Sequence, residues 1–326
     1  MDVLVTGGAG YIGGVVSEKL LSLGYNVTIY DNLSRGNRKA VPNDAVFIEG
    51  DLKDRKKLNN VFSLAKFDIV FHLASYIEAG ESMEIPEKYF VNNVAYSHNL
   101  IELAVHNGCR SFVFSSTAAI YASSDEPLRE DSEISPTNVY GETKLMVERM
   151  LYWYQKIYGL RFVVLRYFNA SGAIKGRGEA HIPETHLIPR ILKVALGQQE
   201  FMRLYGTDYP TPDGTCIRDY IHVLDLAEAH ILAANALHEN NTLYYNLGTG
   251  VGYSNQEIVN AARRITGHDI PVVRAERRDG DAVRLVANYS KIRNDLGWKP
   301  VNSDLDNIIS SAWDWHRKHP HLYNSD

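Results

Sequence analysis

The chain has 326 residues, of which 45% are hydrophobic and 22% charged, and its formal net charge is -5. This composition is typical of a globular protein with one large core or two moderate domains, and it leaves no basic surplus for a nucleic-acid backbone. We therefore expect no nucleic acid as a partner. No apolar run approaches the roughly 20 residues of a membrane-spanning helix, and no signal-like segment precedes the first strand, so we expect no membrane partner either.

Short β-branched segments alternate with amphipathic stretches through the first half of the chain, which is the pattern of parallel βαβ units. The predicted strands are Val3–Thr6, Val27–Tyr30, Val46–Glu49, Ile69–His72, Phe112–Ser115 and Phe162–Arg166. Helices are predicted to begin near Tyr11, Arg55, Glu87 and Asn138. Strands that are apolar through most of their length need helices on both faces, so we predict an α/β fold with a Rossmann-type, doubly wound parallel sheet.

The character of the chain changes after Asn169, where glycine and proline become frequent and the regular alternation is lost. We therefore predict a Rossmann domain over residues 1–169 and a smaller α/β substrate-binding domain over residues 170–326. The segment Thr242–Leu247 still has the character of a buried strand. Part of the second half is accordingly expected to return to the first domain.

A glycine-rich turn follows the first predicted strand. In TGGAGYIG, Gly7, Gly10 and Gly13 are spaced three apart, as in turns that bring backbone N–H groups and a helix N-terminus to a pyrophosphate. Asp31 ends the second strand about 20 residues later, where a carboxylate accepts hydrogen bonds from ribose hydroxyls and repels a 2′-phosphate. The pattern predicts NAD rather than NADP, although Arg35 and Arg38 would soften that preference. The alternative is an ordinary βα turn with a solvated aspartate.

The part of the chain that follows the fifth strand contains three residues with side chains suited to hydride transfer. Thr117 lies in SSTAAIY, and Tyr140 and Lys144 lie in YGETK, where a spacing of four residues puts both side chains on one helix face. Lowering a phenol pKa from near 10 by about three units needs about 4 kcal/mol, much of which an ammonium group and a nicotinamide cation would supply. We predict that Tyr140 takes a proton from a sugar hydroxyl, that NAD takes the hydride from the same carbon, and that Thr117 holds the hydroxyl. Alone, this Tyr-Lys pair would be an ordinary surface pair.

Further motifs extend the pattern over residues 1 to about 320. They are the GDL at Gly50–Leu52, LRYFNASG, ETHLIP, GTDYPTPDGTCIRDYIHV, YNLGTGVGYS and RRDGD. Together with TGGAGYIG, SSTAAIY and YGETKLMVE, they resemble the UDP-glucose 4-epimerases of the extended short-chain dehydrogenase/reductase family. The resemblance implies reversible C4 epimerisation of UDP-glucose and UDP-galactose through a 4-keto intermediate and transient NADH.

The resemblance also implies the residues of the site. Those expected to contact NAD are Gly7, Gly10, Tyr11, Ile12, Gly13, Asp31, Asn32, Asp51, Leu52, Leu73, Ala74, Ser75, Asn93, Thr117, Tyr140, Lys144 and Phe168. Those expected to contact the UDP-hexose are Thr117, Tyr140, Asn169, His186, Leu187, Leu204, Tyr205, Arg218, Arg278, Asp281 and Leu285. Two guanidinium groups suit a diphosphate that stays fixed while the sugar turns. For Arg218, an ion pair with a neighbouring carboxylate is the alternative.

Three positions depart from the family pattern. Ile77 stands where many members have lysine, so another donor must replace one charged cofactor contact. Thr117 replaces a common serine and keeps the hydroxyl with a stiffer rotamer. His186 replaces a common asparagine and is expected to be a neutral donor to the diphosphate. Leu285, by resemblance, lies beside the C2 substituent of the sugar; the alternative is a wall residue of a packed strand.

Other signals are discounted. His181, Glu184 and His186, with Glu179 nearby, lie in a proline-containing loop without helical spacing, so we expect no metal. Ser115 and Ser116 lack the Gly-x-Ser-x-Gly context of a hydrolase. The aromatic run at Tyr152, Trp153 and Tyr154 is interpreted as the partly buried face of one helix. The chain has only two cysteines, Cys109 and Cys216, far apart in sequence, which favours a reducing, cytoplasmic setting.

Two other functions are weighed. A dehydratase or decarboxylase would need a further acid and base beside Thr117, where the chain has Ala118 and Ala119. A non-catalytic dinucleotide sensor would be expected to lack Tyr140 and Lys144. Main activity on UDP-N-acetylhexosamines or UDP-pentoses stays open, and the family resemblance favours a homodimer built from helices of the first domain.

Overall fold

The computed structural model describes residues 1–237 and 242–324. Its strands are β1 (Asp2–Thr6), β2 (Asn26–Asp31), β3 (Val46–Glu49), β4 (Ile69–His72), β5 (Ser111–Thr117), β6 (Arg161–Tyr167), β7 (Asn169–Ser171), β8 (Met202–Tyr205), β9 (Ile217–His222), β10 (Thr242–Leu247), β11 (Gly252–Ser254), β12 (Val272–Ala275) and β13 (Arg284–Leu285). Its α-helices are α1 (Tyr11–Ser22), α2 (Arg55–Leu64), α3 (Ala79–Glu84), α4 (Pro86–Tyr89), α5 (Tyr96–His106), α6 (Val139–Tyr158), α7 (Leu187–Ala195), α8 (Val223–Ala236), α9 (Asn255–Thr266), α10 (Ser290–Leu296) and α11 (Leu305–Lys318).

Seven parallel strands form the main sheet in the order β10-β6-β5-β4-β1-β2-β3. Side chains alternate across it: Val3 and Val5 of β1 pack towards α1 and α8, whereas Leu4 packs towards α2, α5 and α6. Both faces are therefore buried beneath helices, and the Rossmann-type doubly wound fold is confirmed. The strand order reverses between β1 and β4, which opens a crevice at the carboxyl ends of the strands.

Two elements from the second half of the chain complete this layer. β10 pairs with β6 along its whole length, from Thr242 opposite Phe162 to Leu247 opposite Tyr167. The apolar side chains of α8 share one core with those of α1. The division of the chain at residue 169 stays a prediction. These contacts show that β10 and α8, from beyond residue 169, pack within the main layer.

The rest of the second half forms a smaller layer over the crevice. β9 is its centre: β7 and β13 run parallel to it, and β11 runs antiparallel. β8 and β12 form a separate parallel pair, and α7, α9 and α11 enclose a third apolar core. This layer faces the carboxyl ends of the main strands and so supplies the second wall of a cleft.

One helical region is more complex than expected. α4 begins at Pro86, beside the predicted start at Glu87, and continues through a π-helical segment, Phe90–Ala95, into α5. Pro86 suits the first helical position, and Ile85 before it lies outside the helical region that a following proline disfavours (φ −133°, ψ 67°). The short helix α3 before it was not predicted. Among the described residues, no helix is long and apolar enough to cross a membrane.

Candidate active site

A cleft of about 560 Å³ lies between the main sheet and the smaller layer. Every residue predicted to contact the cofactor or the sugar nucleotide lines this cleft, apart from Asn93. Residues more than 200 positions apart in sequence thus share one cavity, which lies where ligands bind in open α/β sheets.

The glycine-rich turn at one end of the cleft has no room for side chains. Gly7 has φ +77°, and a Cβ there would lie 2.5 Å from the amide nitrogen of Ala74. A Cβ on Gly13 would lie 2.2 Å from the carbonyl oxygen of Gly7. α1 follows without a side-chain cap, since its N-cap residue is Gly10, so its first N–H groups are available to an anion.

Asp31 ends β2 next to this turn. Its carboxylate accepts hydrogen bonds from the backbone N–H groups of Ala9 (3.0 Å) and Leu33 (2.8 Å). Burial raises the pKa of Asp31, and these two bonds oppose the rise. Nearby, Asn32 donates to the carboxylate of Asp51 at 2.9 Å. The glycine-rich turn and the carboxylate of Asp31 therefore line the same wall of the cleft.

The two arginines near Asp31 are engaged elsewhere. Arg35 donates to the carbonyl oxygen of Ile182 and lies 3.5 Å from the carboxylate of Glu78. The guanidinium of Arg38 lies over the ring of Phe47, 4.5 Å from its centre. Neither interaction prepares a site for a 2′-phosphate beside the carboxylate of Asp31.

Thr117, Tyr140 and Lys144 meet midway along the cleft. α6 begins after Asn138, whose side chain caps it by accepting from the N–H of Gly141 at 2.8 Å. The hydroxyl oxygen of Thr117 accepts from the N–H of Ala119 (3.1 Å), and the same side chain lies close enough to the phenol of Tyr140 to lower its pKa. The predicted pair on α6 and the predicted threonine after β5 are thus brought together.

The charges around Tyr140 differ from the expectation. Burial raises the pKa of Tyr140 to about 12, the hydrogen bond with Thr117 opposes the rise, and the charge of Glu78 adds to it. Burial likewise lowers the pKa of Lys144 to about 7, against the charge of Glu148. The ammonium of Lys144 donates to the carbonyl oxygen of Ser115 at 2.9 Å and lies 5.8 Å from the centre of the Tyr140 ring. The protein's own groups therefore do not lower the phenol pKa as predicted, because desolvation outweighs them.

The smaller layer provides a cationic wall. Arg218 of β9 donates to the carbonyl oxygen of its neighbour Ile217 and lies 3.8 Å from the carboxylate of Asp281. The side chain of Arg218 is only 11% exposed. Arg278 stacks on Tyr205, with its guanidinium carbon 4.0 Å from the ring centre. The ion pair considered as an alternative for Arg218 does form, but it is long and its carboxylate also faces the cleft.

Residues 3–248 match the model of the NAD dependent epimerase/dehydratase family. The chain belongs to that family. It is 47% identical over 324 residues to a UDP-glucose 4-epimerase of Lacticaseibacillus casei, with 98% of each chain covered.

Solved structures agree with the family assignment. A UDP-glucose 4-epimerase from Brucella ovis in complex with NAD superposes with a TM-score of 0.92 at 45% identity, covering 96% of this chain and 97% of the other. One from Bifidobacterium longum in complex with NAD+ and UDP gives a TM-score of 0.95 at 34% identity, covering 99% and 100%. The family fold therefore extends over nearly the whole chain.

Asn93 is the one family position that does not reach the cleft wall. Its amide is fully engaged with the backbone of Tyr76, accepting from its N–H at 2.9 Å and donating to its carbonyl at 3.0 Å. A weaker bond of 3.3 Å joins it to the hydroxyl of Thr143. Asn93 therefore holds the segment after β4 in place rather than facing the cavity.

That segment also contains the family departure at Ile77. The backbone N–H of Ile77 donates to the buried carboxylate of Glu78 at 3.2 Å. Arg35 lies over the ring of Tyr76, 5.7 Å from its centre, and Lys88 lies 4.4 Å from the same centre. Arg35 and Lys88 therefore bring positive charge beside this segment, although neither stands at position 77. The sequence did not predict that either of them lies here.

Two further residues were missed by the sequence reasoning. A Cβ on Gly141 would lie 2.4 Å from the carbonyl oxygen of Ala119, so only glycine lets α6 approach the turn after Thr117. Asp219, fully buried, accepts from the N–H and hydroxyl of Thr249 and from the N–H groups of Gly250 and Ala287. The YG pair in YGETK was a signal for Gly141. Asp219 had no signal, because its partners are distant in sequence.

His186 is not the neutral group that was predicted. Its Nδ1 atom lies 2.8 Å from a carboxylate oxygen of Glu184 and 2.9 Å from one of Glu179. Burial favours the neutral ring, but the two carboxylates outweigh it and raise the pKa of His186. In the metal-free protein the two carboxylates thus favour the protonated ring, which lies at the edge of the cleft immediately before α7.

Proposed function

We propose that this chain catalyses the reversible C4 epimerisation of UDP-glucose and UDP-galactose with NAD as its cofactor. The relatives described above are named UDP-glucose 4-epimerase, and their similarity to this chain extends over nearly their whole length. The observation that supports it best is the contact between Thr117 and Tyr140 in a cleft that also holds a dinucleotide-type turn and two guanidinium groups. A general base and a diphosphate site in one cavity are what oxidation of a nucleotide sugar requires.

The residues present fit NAD. The backbone cradle at Gly7 and Gly13 is a space that a Cβ would fill, and the uncapped start of α1 faces it. Asp31 supplies a carboxylate for the ribose hydroxyls. When bound, NAD supplies the oxidising and reducing equivalent at the sugar C4, together with a positive ring charge.

The proton at the C4 hydroxyl is handled by the chain itself. Tyr140, as phenolate, accepts this proton as the C4 carbon is oxidised to the ketone, and returns it when the ketone is reduced. Thr117 holds the same oxygen by a hydrogen bond. Its hydroxyl oxygen already accepts from the N–H of Ala119, so its O–H is left to donate to the sugar oxygen. Since burial raises the pKa of Tyr140 and lowers that of Lys144, an added positive charge in the cleft is needed to make the phenol an effective base.

Epimerisation also requires the 4-keto sugar to present its other face. Arg218 and Arg278 lie on the wall opposite the main sheet and suit the diphosphate, which stays bound while the hexose turns. The sugar end is bordered by Leu285, which pairs with Arg218 in the register of β13 and β9. An aliphatic wall offers the hexose no directional hydrogen bond, which favours rotation.

The acid and base that elimination needs are not found beside Thr117. The next two positions are alanines, and the N–H of Ala119 is used to hold the threonine hydroxyl. This arrangement favours epimerisation over dehydration. Acceptance of N-acetylated sugars is a second possibility at the same site, because Leu285 is smaller than an aromatic residue.

We further propose that the chain works as a homodimer in a reducing, cytoplasmic setting. Contrary to the expectation of a partly buried face, Trp153 and Ile157 on α6 are 61% and 66% exposed, and Tyr152 and Tyr158 beside them are exposed as well. An exposed apolar face of this size on a helix of the main layer suits a protein partner. Both cysteines are buried and unpaired, which supports the reducing setting.

The proposal is tested by incubating the purified protein with UDP-galactose without added cofactor and identifying the products by NMR. We expect a mixture of UDP-glucose and UDP-galactose, and a nicotinamide nucleotide released on denaturation, because the cofactor is regenerated in each turnover. A 4-keto-6-deoxy sugar would identify a dehydratase instead. An unchanged substrate, even with NAD added, would contradict the proposed function.

A further inference from the structure

Four side chains that hydride transfer does not use converge in the loop before α7. Glu179, His181, Glu184 and His186 each offer one ligand atom, and these atoms all lie within 4.8 Å of one another. Their spacing is not that of a helix, and the sequence therefore gave a reason to discount them. The loop folds back on itself and brings them together nonetheless.

The cluster is a built feature rather than a group of surface side chains. The side chains of Glu179, His181 and Glu184 are 7%, 14% and 2% exposed, and that of His186, at the rim of the cluster, is 37% exposed. One carboxylate oxygen of Glu184 is buried with no hydrogen-bond partner among the described residues. A buried, unpartnered carboxylate oxygen is costly unless something positive binds it, so it points to a missing ligand.

We propose that these four residues bind one divalent transition-metal ion, with Zn²⁺ as the best match. Two imidazole nitrogens select against Ca²⁺ and Mg²⁺, which prefer all-oxygen sites, and two carboxylates without a thiolate suit a borderline ion. Four protein ligands would close a tetrahedral site, which is the arrangement of structural zinc rather than of catalytic zinc.

The distances allow this coordination with small movements. Nδ1 of His186 lies 2.9 Å from Glu179 and 2.8 Å from Glu184, and Nδ1 of His181 lies 3.2 Å from Glu179. Ligand bonds of about 2.0 to 2.1 Å place the ligand atoms of a tetrahedral site about 3.3 Å apart. These three separations are hydrogen-bonding contacts about 0.1 to 0.5 Å shorter than that, and the ligand atoms of all four residues lie within 4.8 Å of one another, so the cluster would rearrange around an ion and His186 would lose its Nδ1 proton.

The position of the site gives the ion a structural role. His186 is the N-cap residue of α7, and Leu187 begins that helix at the edge of the cleft. Ile182, inside the loop, accepts a hydrogen bond from Arg35 near the start of the chain. An ion here would fix the loop that links the two layers, and would hold His186 away from the reacting sugar.

The test measures metal binding directly, without turnover. The purified NAD-loaded protein is dialysed against a chelator, titrated with Co²⁺ at neutral pH and followed by visible absorption, and then titrated with Zn²⁺ by calorimetry. We expect one ion per chain, the intense absorption of tetrahedral Co²⁺, and its loss when Zn²⁺ is added. At a free Zn²⁺ concentration 100 times Kd, the melting temperature should rise by about 3 to 5 °C.

Variants identify the ligands. Glu184→Gln and His181→Asn should each reduce the Zn²⁺ affinity by at least about 10²-fold, whereas His268→Asn, at an exposed histidine outside the cluster, should bind like the wild type. His181→Asn keeps the test valid if Glu184→Gln does not fold, as judged by circular dichroism. The proposal is overturned if the wild type binds no ion, or if both cluster variants bind as tightly as the wild type. Because binding is measured without substrate, its failure leaves the epimerase proposal untouched.

Discussion

Gly141→Ala should separate the position of Tyr140 from its chemistry. The added Cβ would lie 2.4 Å from the carbonyl oxygen of Ala119, about 1 Å inside an ordinary contact, so the first turn of α6 must move outward by about that distance. The carbonyl belongs to the backbone of the turn after Thr117 and cannot rotate away. The contact between Thr117 and Tyr140 would therefore be lost while both side chains stay in the protein.

Two opposing effects set the magnitude. Overpacking costs about 1 to 3 kcal/mol, and replacing glycine by alanine inside a helix returns about 0.5 to 1 kcal/mol. We therefore expect a loss of up to about 2.5 kcal/mol of stability, but a fall in kcat of about 10²-fold, because a displacement of 1 Å at a reacting group is that costly. The measurements are urea unfolding and a coupled assay of UDP-glucose formation.

Arg149→Ala is the matched control, since it adds an alanine on the exposed side of the same helix. It should leave kcat within about twofold of the wild type and change stability by less than about 0.5 kcal/mol. If Gly141→Ala had the activity of the control while remaining folded, the close approach of α6 to the Ala119 turn would not position the base, and the reasoning would be refuted.

Three further substitutions test the smaller layer. Arg218→Ala should weaken UDP binding by about 10- to 100-fold in calorimetry, because a charge-assisted hydrogen bond contributes about 1.5 to 3 kcal/mol; unchanged affinity would remove it from the site. Leu285→Tyr should depress turnover of UDP-N-acetylgalactosamine but not of UDP-galactose, since overfilling costs about 1 to 3 kcal/mol; equal loss on both would mean general damage, and no loss would show that Leu285 does not face the sugar. Asp219→Asn should lower the unfolding free energy by about 1 to 3 kcal/mol, because an amide cannot accept all four bonds, and an unchanged urea midpoint would disprove that role.

The sequence predicted best what local chemistry decides. The constraint at Gly13 is local, since a Cβ there would meet the carbonyl oxygen of Gly7, and the strand before the turn is marked by its own apolar residues. The pairing of Tyr140 with Lys144 on one helix face follows from helical periodicity alone, and the fold class follows from the apolar strands. None of these needs knowledge of distant contacts.

What the sequence did not predict depends on residues that meet only in the fold. The hydrogen bonds of the Asn93 amide to the backbone of Tyr76 had no signal in the motifs, and its contact with the cofactor stays a prediction. The neutral state expected of His186 failed because Glu179 approaches it across the loop. The motif gave no sign that desolvation dominates the pKa of Tyr140 in the protein alone; that the phenol pKa falls once a nicotinamide cation lies beside it stays a prediction.

The central claim is that the hydrogen at C4 leaves the sugar and returns to it. The most direct test is to convert UDP-galactose carrying deuterium at C4, in ordinary water, and to follow the C4 position of the UDP-glucose formed by NMR and mass spectrometry. We predict that the deuterium is retained at C4, since the hydrogen moves as a hydride inside a closed cleft and only the hydroxyl proton passes through Tyr140. Replacement of the deuterium by hydrogen from water would show that C4 loses a proton, and it would contradict the account.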